Sequence, residues 1–186
     1  AAGIQDIIGV DKSGILSLSQ DYSSHPNWAT YAQKTNPRQI HGGLSDALCG
    51  ADVFIGVSAA GLLSEEDLRK MAPQAIVLAM ANPVPEIDPL IARRYAAIVG
   101  TGRSDYPNQI NNVLGFPGFF RGLLDVRARH VTVGMKLAAA QALAEVLSPE
   151  ELTTERILPS AFDPRVVPKI AAAVAAAARI DGVARL

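Results

Sequence analysis

Three apolar runs recur along the first hundred residues: 51–57 (ADVFIGV), 75–80 (AIVLAM) and 96–100 (AAIVG). None alternates apolar with polar positions as a half-solvated strand does, so each predicts a strand buried on both faces. A fourth run, residues 6–10, ends in Asp11 and also reads as a buried strand. Helix signals separate the runs. Ser64 precedes Glu65, Glu66 and Asp67, the pattern of a capping residue with acids in the first turn. Asp88 before Pro89 predicts a second cap, for a helix over 90–95. Strand, helix, strand, helix predicts an α/β fold, a doubly wound parallel sheet covered on both faces.

Other elements follow from the same signals. A short helix is expected over 27–34, with Ser24 as cap, Pro26 in the first turn and Trp28 and Tyr31 as anchors. Another turn of helix over 44–48 is closed by Gly50. Beyond residue 112 the chain becomes helical. Pro117 starts a run with Phe119, Leu123 and Val126 on one face, and a longer helix spans 131–147. A short one begins at Ser148. Asp163 and Pro164 cap a last helix that runs to about Ile180 and ends at Asp181 and Gly182. The C-terminal helices, about 117–186, are expected to pack on the same domain as the sheet, making residues 1–186 one unit.

The polar stretch after the run at 96–100 is dense in amides and hydroxyls: Thr101, Arg103, Ser104, Asp105, Tyr106, Asn108, Gln109, Asn111 and Asn112. A loop at the carboxyl end of a parallel strand is where open α/β sheets bind ligands. The small residues Ser58, Ala59, Ala60 and Gly61 follow the run at 51–57 in the same way and allow close approach to the backbone. Asp11 could accept hydrogen bonds from a ribose, or start the turn Lys12, Ser13, Gly14; local sequence favours the turn.

Composition narrows the classes. With 49% apolar and 19% charged residues the chain is globular. A net charge of −1 gives no field directed at nucleic acid or an anionic membrane, and neither is expected as a partner. No apolar run is long enough to span a bilayer. The single cysteine, Cys49, reads as a small buried side chain and fits a reducing cytoplasm. His25, His41 and His130 are isolated from one another, and the acids at 65–67 read as a solvated helix start, so no metal site is expected. No glycine-rich phosphate loop occurs. The chain opens without Met or a leader-like segment and reads as a fragment.

Residues 50–58 (GADVFIGVS), 81–87 (ANPVPEI) and the whole of 101–125 (TGRSDYPNQINNVLGFPGFFRGLLD) resemble the bacterial-type malic enzymes. Ile157 to Pro159, Phe162 with Asp163, and Gly182 to Arg185 match as well, so the resemblance covers essentially the whole chain. It implies a Rossmann-like cofactor domain lacking its first βα unit. It implies oxidation of (S)-malate by NAD or NADP and decarboxylation to pyruvate, assisted by Mg or Mn as Lewis acid. By the same resemblance, Asp11 meets the adenine ribose. Ser58 and Gly61 lie near the nicotinamide ribose, Asn82 lies beside the nicotinamide, and Asn111 and Asn112 bind substrate. The lysine base, tyrosine acid and acidic metal ligands are expected upstream, so this chain carries no catalytic residue and no metal ligand of its own. Alone it should be inactive, held to the remaining N-terminal part of the enzyme within a homo-oligomer. Asp11 argues for NAD, and Lys12 with Ser13 argues for NADP; the reading leans towards an NADP-tolerant site. Two alternatives stand beside it. One is the cofactor domain of another amino- or hydroxy-acid dehydrogenase, against which the Asn pair speaks. The other is a non-catalytic nucleotide-binding or interaction module.

Overall fold

The computed structural model describes residues 3–186. A short antiparallel hairpin, β1 (Val10–Asp11) and β2 (Gly14–Ile15), opens the chain. Helices α1 (Pro26–Lys34) and α2 (Leu44–Ala47) follow. Then come β3 (Val53–Gly56), α3 (Glu65–Lys70), β4 (Ile76–Ala79), α4 (Pro89–Ala92) and β5 (Ile98–Thr101). The C-terminal part holds α5 (Phe116–Asp125), α6 (Val133–Ala144) and α7 (Val166–Ile180).

The three apolar runs form one parallel sheet in the order β3-β4-β5. Phe54, Val77 and Val99 stand side by side in the register. All three are buried against Leu48, Leu68, Met71, Ile87 and Ala92, supplied by the helical segments between the strands. Local chemistry starts two of those helices as the sequence predicts. The Ser64 side chain accepts from the Asp67 amide, while Asp67 Oδ2 accepts from the Ser64 amide at 3.0 Å, a reciprocal capping box. Asp88 Oδ1 accepts from the Leu90 amide at 2.8 Å, with Pro89 in the first turn.

The second face of the sheet is less covered than the unbroken apolar runs predict. Val53 and Ile55 of β3 are 47% and 60% exposed, so that strand alternates inward and outward positions. Its apolar character is therefore not used up by the described residues.

Several expectations need correction. Residues 6–10 do not add a buried strand to the parallel sheet. Ile7 is exposed, and only Val10 and Asp11 pair, in the hairpin with Gly14 and Ile15. The chain there pairs with its own continuation: the Ile15 amide donates to Gly42 O at 2.9 Å and the Leu16 amide to Gly9 O at 2.8 Å. In α1, His25 takes the cap position in place of Ser24, stacked on Trp28 at 4.4 Å between ring centroids. Tyr31 is exposed, and the buried anchor of that helix is Ala32. Cys49 is exposed too, because Ala47 and Leu48 turn inward and leave it on the outer side of the last turn. Helix α7 starts at Val166, later than the Asp163 cap implies.

The C-terminal helices build a second core. Val126, Met135, Ala142, Ile170, Val174 and Ala178 are buried among themselves. Glycine permits the close crossing of α5 and α7. A Cβ at Gly122 would meet Ala171 O at 2.5 Å, and one at Gly118 would meet Ile170 Cβ at 2.8 Å. Outside this core, Phe116, Phe120 and Leu124 recur at every fourth position of α5 and are exposed.

Candidate functional site

Parallel pairing sets the geometry of the site. Gly56 lies opposite Ala79, and Ala79 opposite Thr101, so all three strands end at one edge of the sheet. The segments leaving that edge contain Ser58 to Gly61, Ala81 to Asn82, and the polar loop after Thr101. The expected cofactor residues Ser58, Gly61 and Asn82, and the expected substrate residues Asn111 and Asn112, thus follow three neighbouring strands. All five are exposed.

The β3 exit is shaped by a positive backbone angle and by two carbonyls. Gly61 has φ of +66°, a conformation that costs a side-chain-bearing residue more than it costs glycine. Its amide donates to Pro85 O at 3.1 Å, and the Leu63 amide donates to Glu86 O at 2.9 Å. The Glu86 side chain reaches back to the same loop: Oε1 accepts from the Ser58 amide at 3.0 Å, and Oε2 accepts from the Ala81 amide at 3.0 Å. Asn82 follows Ala81 directly and is joined to Pro83 by a cis peptide.

The third exit is held by Asn108. Its backbone sits at φ of 56°, a region Asn tolerates better than most residues. Its Nδ2 donates to Val99 O at 3.0 Å and to Thr154 O at 2.8 Å. Its Oδ1 accepts from the Ile157 amide at 2.9 Å. This one amide fastens β5, the polar loop and the segment before α7 together. Beside it opens a cleft of about 280 Å³ lined by Gln109, Asn111, Arg156, Ser160 and Phe162, among others. Asn111 caps the 3-10 helix Asn112–Leu114 by accepting from the Val113 amide at 3.0 Å, which leaves its Nδ2 hydrogens for another partner. Arg103 grips Asp105 through two contacts of 2.8 and 2.6 Å and lies over the Tyr106 ring. That contact holds the Asp105 carboxyl below its usual range.

The segment walling the cleft is braced by ions. Arg165 contacts Glu151 at 2.9 and 3.0 Å and Asp163 at 2.7 Å. The guanidinium pulls both carboxyls down to about 2.

Asp11 stands apart from the three exits, on the hairpin. Its Oδ1 accepts from the Ser13 amide at 2.7 Å, so the turn reading holds for that oxygen. Its Oδ2 is buried without a hydrogen-bond partner. A buried unpaired carboxylate oxygen is costly unless a donor reaches it.

Sequence reasoning passed over Glu86 and gave Asn108 no role. Both look like ordinary loop polar residues, and their partners are 28, 46 and 49 positions away. The signal open to the sequence was weak: an acid flanked directly by Pro85 and Ile87, in a turn that also holds Asn82 and Asp88. Among the described residues, no group of three or more His, Cys, Asp or Glu side chains is placed to hold a metal ion. No helix among them is long and apolar enough to cross a membrane.

Known proteins match this arrangement throughout. The family model "Malic enzyme, NAD binding domain" matches residues 2–179. The NAD-dependent malic enzyme of Geobacillus stearothermophilus is 56% identical over 185 residues, covering 100% of this chain and 38% of that protein. An NADP-dependent malic enzyme of Rhizobium meliloti (strain 1021) is 44% identical over 197 residues, covering 97% and 25%. The crystal structure of malic enzyme from Pyrococcus horikoshii Ot3 superposes with a TM-score of 0.89 at 44% identity, covering 99% of this chain and 44% of that one. The chain therefore spans less than half the length of these relatives. With three strand exits aligned at one sheet edge and a family match along nearly its whole length, the chain belongs to the malic enzyme NAD-binding domain family.

Proposed function

We propose that this chain is the NAD(P)-binding portion of a malic enzyme that oxidises (S)-malate and decarboxylates it to pyruvate. The observation that carries the cofactor reading is that β3 and β4 end together at one sheet edge, so that the segments holding Ser58, Gly61 and Asn82 leave it side by side, with Asp11 assigned to the adenine ribose. Ser58, Gly61 and Asn82 supply the nicotinamide side of the same ligand from the β3 and β4 exits. NAD or NADP held by these residues would supply the acceptor for the hydride of malate C2. The chain's own part is to bind and orient: the Asn111 and Asn112 amides donate to a substrate carboxylate without adding a competing charge. Base, acid and the Mg or Mn ligands belong, on this reading, to the remaining part of the enzyme. That part also covers the exposed apolar side chains of β3. Residues 1–186, helices included, form one domain of a cytoplasmic homo-oligomer.

Full-length enzyme carrying Asp11→Ala or Asn112→Ala separates the two roles. A lost hydrogen bond to a charged group corresponds to roughly 10- to 100-fold in affinity. Asp11→Ala is expected to raise KM for the cofactor and leave malate KM unchanged; Asn112→Ala should do the reverse. Measuring both with NAD and with NADP also tests cofactor choice, and turnover with NADP is expected. An Asn112→Ala enzyme with unaltered malate kinetics would remove the substrate assignment.

A further inference from the structure

Among the described residues Glu86 is the only charged side chain fully hidden from solvent, at 0% exposure. A buried charge is costly unless hydrogen bonds replace its water. Here the replacement is backbone amides: Ser58 N–H on Oε1 and Ala81 N–H on Oε2, each at 3.0 Å. The Ser58 hydroxyl lies 3.5 Å from Oε1 and can donate to it as well. Every partner is a donor, the pattern that an acceptor-only carboxylate satisfies and an amide side chain does not.

The two amides belong to different strand exits. Ser58 leaves β3 and Ala81 leaves β4, so the carboxyl spans the gap between the two loops and sets its width. The backbone of the same turn repeats the hold, since Pro85 O accepts from Gly61 and Glu86 O from Leu63. The place is built for this side chain. A Cβ at Gly56, the last residue of β3, would meet the Glu86 carboxyl at 2.5 Å.

We infer that Glu86 is a positioning residue that fixes the β3 and β4 exit loops relative to each other before the cofactor arrives. This rests on the reading of Ser58, Gly61 and Asn82 as cofactor contacts. An apolar residue of similar size would fill the volume, but it would leave both amides without an acceptor and the loops unregistered.

The test uses full-length enzyme carrying Glu86→Gln or Glu86→Asp. In the first, one amide hydrogen pair must face a backbone N–H; in the second, the side chain is too short to reach both. The expected result is a rise in KM for the nicotinamide cofactor of about tenfold, with malate KM unchanged. Amide hydrogen exchange should quicken together in peptides covering 56–63 and 80–84. A purely structural role would lower the active fraction and leave both KM values alone. Unchanged exchange in both peptides would overturn the positioning role. Quickened exchange with unchanged cofactor KM would overturn the proposal through its premise, the assignment of these loops to the cofactor. Should neither variant fold, cofactor-free wild-type enzyme decides. Protected Ser58 and Ala81 amides support the inference, and freely exchanging ones refute it.

Discussion

Asn108→Ala is the perturbation whose cost the structure allows to be worked through. The side chain makes three hydrogen bonds, to Val99 O, Thr154 O and the Ile157 amide, at 3.0, 2.8 and 2.9 Å. Each is worth about 1 kcal/mol net, so their loss amounts to about 3 kcal/mol. Ala must also adopt the φ of 56° that Asn holds, adding about 1 kcal/mol. The sum, about 4 kcal/mol, is a large part of the 5–15 kcal/mol that typically separates a folded domain from its unfolded chain. It falls locally, on the tie between the polar loop and the segment around Ile157. Native-state hydrogen exchange reads such local opening directly. The Ile157 amide loses its acceptor, and its protection should drop by roughly a thousandfold. Asn108→Gly should be no less stable than Asn108→Ala. Relief of the positive φ offsets the greater unfolded-state entropy of glycine, each about 1 kcal/mol. A loss of protection at Ile157 below about 1 kcal/mol in Asn108→Ala would refute the clamp.

Two further outcomes are open to measurement. Gly122→Ala should destabilise the C-terminal helices by about 1–3 kcal/mol despite the better helix propensity of Ala, because the new methyl meets backbone at 2.5 Å. Thermal melting checks this, and an unchanged or raised Tm would contradict the close crossing. The Glu151 and Asp163 carboxyls are held at about 2 by Arg165, against ordinary values of 4.5 and 3.8. A carboxyl lowered on folding stabilises the fold above its ordinary value, and that stability is lost as pH falls towards about 2. Arg165→Leu should therefore flatten the fall in stability between pH 4.5 and 2, and a denaturation series across that window that matches wild type would count against it.

Local chemistry made much of this protein legible in its sequence. Apolar runs became the three strands of the parallel sheet, Ser64 and Asp88 became helix caps, and Pro117 fell in the first turn of α5. Those outcomes depend on neighbours within a few positions, so the string of residues carries them. The motif at 101–125 likewise placed a polar loop at a strand end, where the structure has it.

Tertiary structure alone decided the rest. Residues 6–10 are as apolar as a core strand, yet of them only Val10 pairs, in a hairpin, because a strand's place depends on which edge is offered to it. Cys49 and Tyr31 looked inward and face solvent, since a step of one residue, about 100° around a helical turn, separates them from buried Leu48 and Ala32. Glu86 and Asn108 are the sharpest cases. An acid and an amide in polar turns read as solvated until the fold brings donors from 28 and 49 residues away onto their oxygens. Burial and hydrogen-bond satisfaction are properties of what closes over a side chain, and sequence neighbours do not contain that information.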